Sequence, residues 1–213
     1  MTPGGTPFLR RAGRLLLCAW GLAGWGLAAQ AGSVQVEVAD AAGKPLADAV
    51  VFLDSADARK QAKPLAGMEM AQEKRQFVPG VLVVTTGTEV RFPNRDTVRH
   101  HVYSFSPTKK FELKLYTGTP SNPVLFDKAG VVTLGCNIHD QMVGWILVLD
   151  TPYYARSAAA TGKAQIDNVP TGAYTLRIWH TRLPVGAPAQ EQALTVPATG
   201  TATASVRLMG LQP

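Results

Sequence analysis

One short stretch combines a thiol, an imidazole and a thioether: Cys136-Asn137-Ile138-His139-Asp140-Gln141-Met142, or C-x-x-H-x-x-M. These are soft and borderline donors on a single loop. With one further histidine they would make the His₂Cys set with a weak methionine that suits copper. Zinc calls for a fourth strong ligand, which a thioether is not. Haem attachment calls for C-x-x-C-H, which the chain lacks. A Cys–His nucleophile pair would also need an oxyanion hole, and no motif supplies one. The second histidine must come from outside the loop. The candidates are the adjacent His100 and His101, in Asn94-Arg95-Asp96-Thr97-Val98-Arg99-His100-His101-Val102-Tyr103. Neighbouring residues on a strand point to opposite faces, so only one of the two can meet the loop, and periodicity does not say which.

The thiol matters because of where the chain is sent. Residues 1–31 hold Arg10, Arg11 and Arg14 and no acid, then an apolar run from Leu15 to Ala29, then Ala29-Gln30-Ala31. A basic start, an apolar middle and a small-residue cut site in that order read as an export signal cleaved after Ala31. The run is short for a membrane span of about 20 residues, which argues against an uncleaved anchor. Leu17-Cys18 is a poor lipidation box, because the residue before the cysteine is not small. Cleavage removes Cys18 and leaves Cys136 without an internal disulfide partner in an oxidising compartment, where a thiol needs to be held. Metal ligation is one way to hold it. The expected location is the periplasm, with no membrane span after cleavage.

The leader also distorts the charge. The 213-residue chain carries a formal +6, and losing three arginines and no acid lowers this to +3, so nucleic acid is not an expected partner. Hydrophobic residues at 46% and charged residues at 17% describe a chain that folds around a core. Gly 20 and Pro 15 favour a turn-rich β protein over a helical bundle.

The elements that would position the donors read as strands. Val34, Val36 and Val38 alternate with polar residues; Ala49 to Leu53, Gly130 to Leu134 and Val143 to Leu149 are apolar runs; Phe111, Leu113 and Leu115 alternate, as do Tyr174, Leu176 and Ile178. Val81 to Val84, Thr86-Gly87-Thr88, then Val90 and Phe92 read as a hairpin. Residues 55–66 read as an irregular connector. One or two strands are expected from Gln192 to Leu208. No window after the leader keeps a 3.6-residue period, so the fold class is all-β, a sandwich or barrel.

Two separated segments look like parts of one module. Val34 to Val38 with Gly43-Lys44-Pro45-Leu46-Ala47-Asp48-Ala49-Val50 resembles the opening of a carboxypeptidase regulatory-like sandwich, and Gly162 to Leu176 resembles its later strands. The expected organisation is a signal peptide (1–31), the first part of an outer sandwich (32–66), a middle domain (67–150) and the second part of the outer sandwich (151–213).

The middle domain carries the more specific likeness. Phe77-Val78-Pro79, Phe92-Pro93-Asn94, His100-His101-Val102-Tyr103-Ser104-Phe105-Ser106, Phe126-Asp127-Lys128-Ala129-Gly130 and Gly135-Cys136-Asn137-Ile138-His139-Asp140-Gln141-Met142 together resemble a cupredoxin of the plastocyanin and amicyanin kind. They are similar in particular to the exported cupredoxin-like proteins labelled methylamine-utilisation proteins. The resemblance implies a Greek-key β-sandwich, inserted in or fused to the second one. That pattern places an Asn six residues before the first ligand histidine, so Asn94 selects His100. It implies copper held by His100, Cys136, His139 and Met142, and Asn94 tying the two ligand segments together. Ile138 stands where many such loops have Pro, and Asp140 adds a charge after His139. The implied function is single-electron transfer between protein redox partners (a periplasmic oxidase, dehydrogenase or cytochrome) and not catalysis. Copper delivery, or a non-redox β-sandwich binding module, are the alternatives.

The remaining candidates have plainer readings. His101 and the strand-end His180 are expected as packing or hydrogen-bonded histidines, Met68 and Met70 as core, and Lys109, Lys110 and Lys114 as a solvated face.

Overall fold

β-Strands dominate from Ala31 onward in the computed structural model, which describes Met1, Gly4 and residues 31–213. The expected leader and Cys18 therefore lie outside the described residues, apart from Met1, Gly4 and Ala31. In chain order the elements are β1 (Ala31–Ala39), β2 (Val50–Asp54), α1 (Ala56–Gln61), β3 (Met68–Glu69), β4 (Ala71–Glu73), β5 (Gln76–Val78), β6 (Val81–Thr85), β7 (Thr88–Arg91) and β8 (His100–Ser106). They continue with β9 (Lys109–Tyr116), β10 (Val124–Phe126), β11 (Gly130–Gly135), β12 (Val143–Leu149), β13 (Tyr154–Arg156), β14 (Lys163–Pro170), β15 (Gly172–Trp179), β16 (Gln190–Val196) and β17 (Thr201–Arg207).

The first and last segments build one sandwich. β1 lies between β14, antiparallel, and β17, parallel, while a second sheet runs β13-β2-β15-β16. The alternation of β1 buries Val34, Val36 and Val38, which share a core with Leu53, Ile166, Leu176 and Ile178. The chain between β2 and β13 builds the other sandwich, with sheets β6-β12-β11-β8-β9 and β10-β7-β3 and a small β4-β5 hairpin. Its core holds Phe77, Val90, Phe92, Val102, Leu134 and, at one end, Cys136 and Met142.

The two sandwiches meet across β6 and β12. On one face of these strands Leu82, Val84, Ile146 and Val148 enter the core that holds Cys136. On the other face Val81, Val83, Leu147 and Leu149 join the core of β1 and β2. A strand buried on both faces has no reason to alternate, which is why both read as nearly continuous apolar runs. Arg156, on β13, also donates to the Val81 carbonyl across the junction.

Two local expectations are corrected. Residues 81–92 are not a hairpin: β6 pairs with β12, and β7 pairs with β10 and β3 in the opposite sheet. The turn at Thr86-Gly87, with Gly87 at φ +87, carries the chain from one sheet to the other. Residues 55–66 are not wholly irregular, because they contain α1. The Ser55 hydroxyl accepts from the Ala58 N–H at 3.0 Å as its N-cap. Six residues are too few to show a helical period.

Gly162 fixes the closest approach in the outer sandwich. Its φ is +66, and a Cβ there would lie 2.2 Å from the Val38 carbonyl oxygen, which is main chain and not a flexible side-chain end. Gly162→Ala is expected to destabilise the protein by more than about 2 kcal/mol, from left-handed strain plus displacement of β1. The shift of a urea midpoint checks this, and an unchanged midpoint would refute it.

Candidate metal centre

β8 presents alternating faces to two environments. His100, Val102 and Ser104 are buried toward the sandwich core, while half-buried Tyr103 and exposed Phe105 lie on the opposite face with His101, which is itself buried there. One extra residue on β9 shifts the register where β8 begins, since His100 pairs with Tyr116 but Val102 with Leu113. β11 ends at Gly135, opposite Tyr103, and delivers Cys136 to the same end of the sandwich. The loop then turns tightly, with Met142 N–H donating to the His139 carbonyl at 2.9 Å and Val143 N–H to that of Gln141 at 3.1 Å, before β12 begins.

This brings His100, Cys136 and His139 together. One donor atom from each lies within 4.8 Å of the others. Nδ1 of His100 and Nδ1 of His139 each stand 3.8 Å from the Cys136 Sγ, and the two rings are 5.0 Å apart between centroids. The His100 side chain is fully buried, Cys136 is nearly so, and His139 is half-buried. Met142 is buried in the same core cluster as Cys136. His101 is not part of the group: its Nε2 contacts Glu112 Oε1 at 2.9 Å on the outer face.

The distances test what the group can hold. An ion bound at about 2.3 Å by sulfur and about 2.0 Å by nitrogen separates the two donors by about 3.7 Å in a trigonal plane and about 3.5 Å in a tetrahedron. The observed 3.8 Å for both histidines is close to both arrangements, so the three donors can share one ion of that size. A cysteine sulfur, two imidazoles and a thioether from the same core cluster are the donor chemistry of copper. The residues present fit that ion.

The support around His100 differs from expectation in one respect and adds a residue that sequence reasoning missed. Asn94 Nδ2 donates to the carbonyls of Val98 (2.8 Å) and Tyr116 (2.9 Å), and its Oδ1 accepts from Asp96 N–H at 2.9 Å. Asn94 thus ties the segment before His100 to the end of β9, and no hydrogen bond of its side chain reaches residues 136–142. The missed residue is Asp96. Its carboxylate accepts from His100 Nε2 at 2.7 Å and from the N–H groups of Lys74 (2.7 Å) and Arg75 (2.9 Å), both left-handed residues of the turn between β4 and β5. Donation from Nε2 fixes the tautomer that leaves the Nδ1 lone pair facing Cys136. Partial burial opposes ionisation of Asp96, but the donors from Arg75, His100 and Lys74 outweigh it and hold the carboxyl below its ordinary pKa.

Asp96→Ala is expected to weaken metal binding about 10–100-fold, the usual cost of losing an outer partner of a ligating histidine. Asp96→Asn, which keeps an acceptor oxygen, should lose less. Competition titration against a chelator measures both, and equal affinity for wild type and Asp96→Ala would count against the role.

The other candidates fall where the plainer readings put them. His180 Nε2 donates to the Ala47 carbonyl at 3.1 Å and its Nδ1 accepts from Arg182 N–H; burial lowers its pKa. Met70 is core, with Met68 packed against it. Lys109 pairs with Asp127 at 3.1 Å. Among the described residues no helix is long and apolar enough to cross a membrane.

No protein-family profile and no curated protein sequence matches the chain. Solved structures do. A purple cupredoxin from Nitrosopumilus maritimus is 21% identical over 38% of this chain and 99% of its own, with a TM-score of 0.34. An oxidised variant of amicyanin is 17% identical over 46% of this chain and 98% of its own, with a TM-score of 0.36. A copper-containing nitrite reductase from Thermus scotoductus is 23% identical over 43% of this chain, with a TM-score of 0.37; the match spans 26% of the reductase.

Proposed function

We propose that the protein is a cupredoxin-type carrier that holds one copper ion at His100, Cys136, His139 and Met142 and passes single electrons between protein partners in the periplasm. The observation that carries this reading is the pair of equal 3.8 Å separations between the Cys136 sulfur and the two imidazole Nδ1 atoms. When bound, copper supplies a one-electron couple. The chain supplies a site that does not need to move. His100 is clamped by Asp96 and emerges from a hydrogen-bonded strand, Cys136 sits in packed core, and the His139–Met142 turn is closed by its own backbone bonds. Donors already held in place lower the reorganisation that accompanies a change of charge. Half-buried His139, beside exposed Ile138, gives the centre a short way to the surface.

The same reading takes residues 67–150 as the cupredoxin-like domain and residues 32–66 and 151–213 as a host sandwich, and the protein as a carrier and not an enzyme. The basic and apolar leader read from the sequence and the Cys136 thiol, the one cysteine among the described residues, support the periplasmic setting. The test is copper loading followed by metal analysis, an optical spectrum and voltammetry. The expected result is about one copper per chain, strong absorption toward the red end of the visible spectrum and a reversible wave. A colourless oxidised complex would overturn the reading. Rapid loss of copper to a chelator with no reversible wave would indicate delivery in place of electron transfer.

A further inference from the structure

A groove of about 420 Å³ crosses the outer face of the five-stranded sheet, away from the core that holds Cys136. Tyr103, Phe105, Gly135 and Val143 line it from the sandwich of the metal centre, and Val185 and Gly186 line it from the host. Phe105 is 77% exposed and Val185 85% exposed, and Val143 is exposed where β12 begins. Large apolar side chains left in water side by side mark an interaction surface more often than chance.

The aromatic side is ordered. Tyr103 and Phe105 meet in a tilted contact at 5.2 Å between centroids, and His101 continues the row, also tilted, at 5.6 Å from Tyr103. The row lies against Gly135, the residue before Cys136, where a Cβ would come 2.6 Å from Tyr103 Cζ. A side chain at position 135 would lift the Tyr103 ring off the sheet. The groove therefore approaches the metal centre from the side, separate from the edge that His139 presents.

The charges beside the groove select the partner. On β9, Lys110 stands opposite Phe105 and Glu112 opposite Tyr103. Glu112 is engaged by His101. Lys110 and Lys114 face outward on the same strand on either side of Glu112, Lys110 beside the groove and Lys114 further along toward Asn137 and Ile138, and among the described residues neither lysine forms an ion pair. An apolar groove beside a strand face that carries two ammonium groups to one carboxylate is complementary to an apolar projection ringed by carboxylates.

We infer that this groove, built jointly by the two sandwiches, docks an acidic redox protein. The inference rests on the electron-transfer reading for the nature of the partner. Its test is an NMR titration of the ¹⁵N-labelled, Cu(I)-loaded protein with flavodoxin, an acidic protein with an exposed flavin edge, and separately with a basic cytochrome c. With flavodoxin the amides of Tyr103, Phe105, Gly135, Val143 and Gly186 shift, and raising the salt from 20 to 300 mM, as a choice of conditions spanning strong and weak screening, weakens the complex (roughly) as expected for surface charges. Lys110→Glu with Lys114→Glu, and separately Phe105→Ser with Val185→Ser, each raise the dissociation constant at least about tenfold. Both pairs are surface changes away from the metal donors, so copper content equal to wild type shows that the variants are folded. Cytochrome c leaves this face unshifted. The inference is overturned by shifts confined to Ile138–Asp140, by no shift with flavodoxin, by equal shifts with cytochrome c, or by variants that bind as wild type does. A wild type without copper or a reversible wave removes the electron-transfer reading on separate evidence, whatever the shift map shows.

Discussion

Cys136→Ala is expected to lose copper binding and the visible absorption together while the protein stays folded. Cys136 is 3% exposed and packs among apolar neighbours, so its own contribution to the core is that of a small hydrophobe. Alanine fills most of that volume, and the stability change should stay near 1 kcal/mol, within the ordinary range for a single substitution. The metal loses its only anionic donor in the group. Two neutral imidazoles and a thioether remain, so the affinity should fall by more than the roughly 100-fold that an outer partner can cost. Equilibrium dialysis against a chelator, read beside the spectrum and a urea curve, separates the two effects. Wild-type affinity in Cys136→Ala would remove the proposed centre. A variant that loses copper because it no longer folds would be exposed by the urea curve, and Cys136→Ser then serves in its place.

The second large effect concerns neighbouring residues of β12. Ile146 is fully buried in the core that holds Cys136, and Leu147 is almost fully buried in the core of β1 and β2. Truncation to alanine at either position should cost about 2–5 kcal/mol. Because one strand serves both cores, either loss should lower the stability of the whole. In a Trp145→Phe background, Trp179 fluorescence, which reports the sandwich of β1 and β2, and the copper absorption, which reports the centre, should therefore shift to the same lower denaturant midpoint in both variants. If Leu147→Ala melts the host while the copper band persists to its original midpoint, the shared strand does not couple the two.

Much of the site's placement could be read from chemistry and spacing. Cys136, His139 and Met142 stand on one loop in the sequence and on one loop in the fold. The choice between His100 and His101 could not come from periodicity, because both orientations of a strand satisfy it. The structure turns His100 inward with Val102 and Ser104 and gives His101 to Glu112. Asp96 escaped notice because its value comes from three donors distant in sequence or fixed only by the turn, Lys74, Arg75 and the His100 ring. An acid in a loop near a histidine is too common to single out. Asn94 was legible as a support but not as to what it supports, since hydrogen-bond partners across 22 residues leave no local pattern.

The fold divided in the same way. Strands with one wet face, such as β1 and β15, declared themselves by alternation. β6 and β12 were legible as buried strands, but their position between two cores was not, because an apolar run does not say what covers each side. The error at residues 81–92 has the same origin: a glycine turn between two apolar runs specifies a reversal, not which sheet receives the second strand.

The pairing of β1 with β14 and β17 imposes an order of assembly. Residues 31–39 find their neighbours only when residues 163–170 and 201–207 are present, whereas β3 to β12 find theirs within residues 68–149. Closing the longer loop costs more chain entropy and comes later. Until then β1 is a valine-rich ribbon with both hydrogen-bonding edges open, a template for pairing with another chain. A newly synthesised molecule is thus most vulnerable to aggregation at β1, during the interval before β17 arrives.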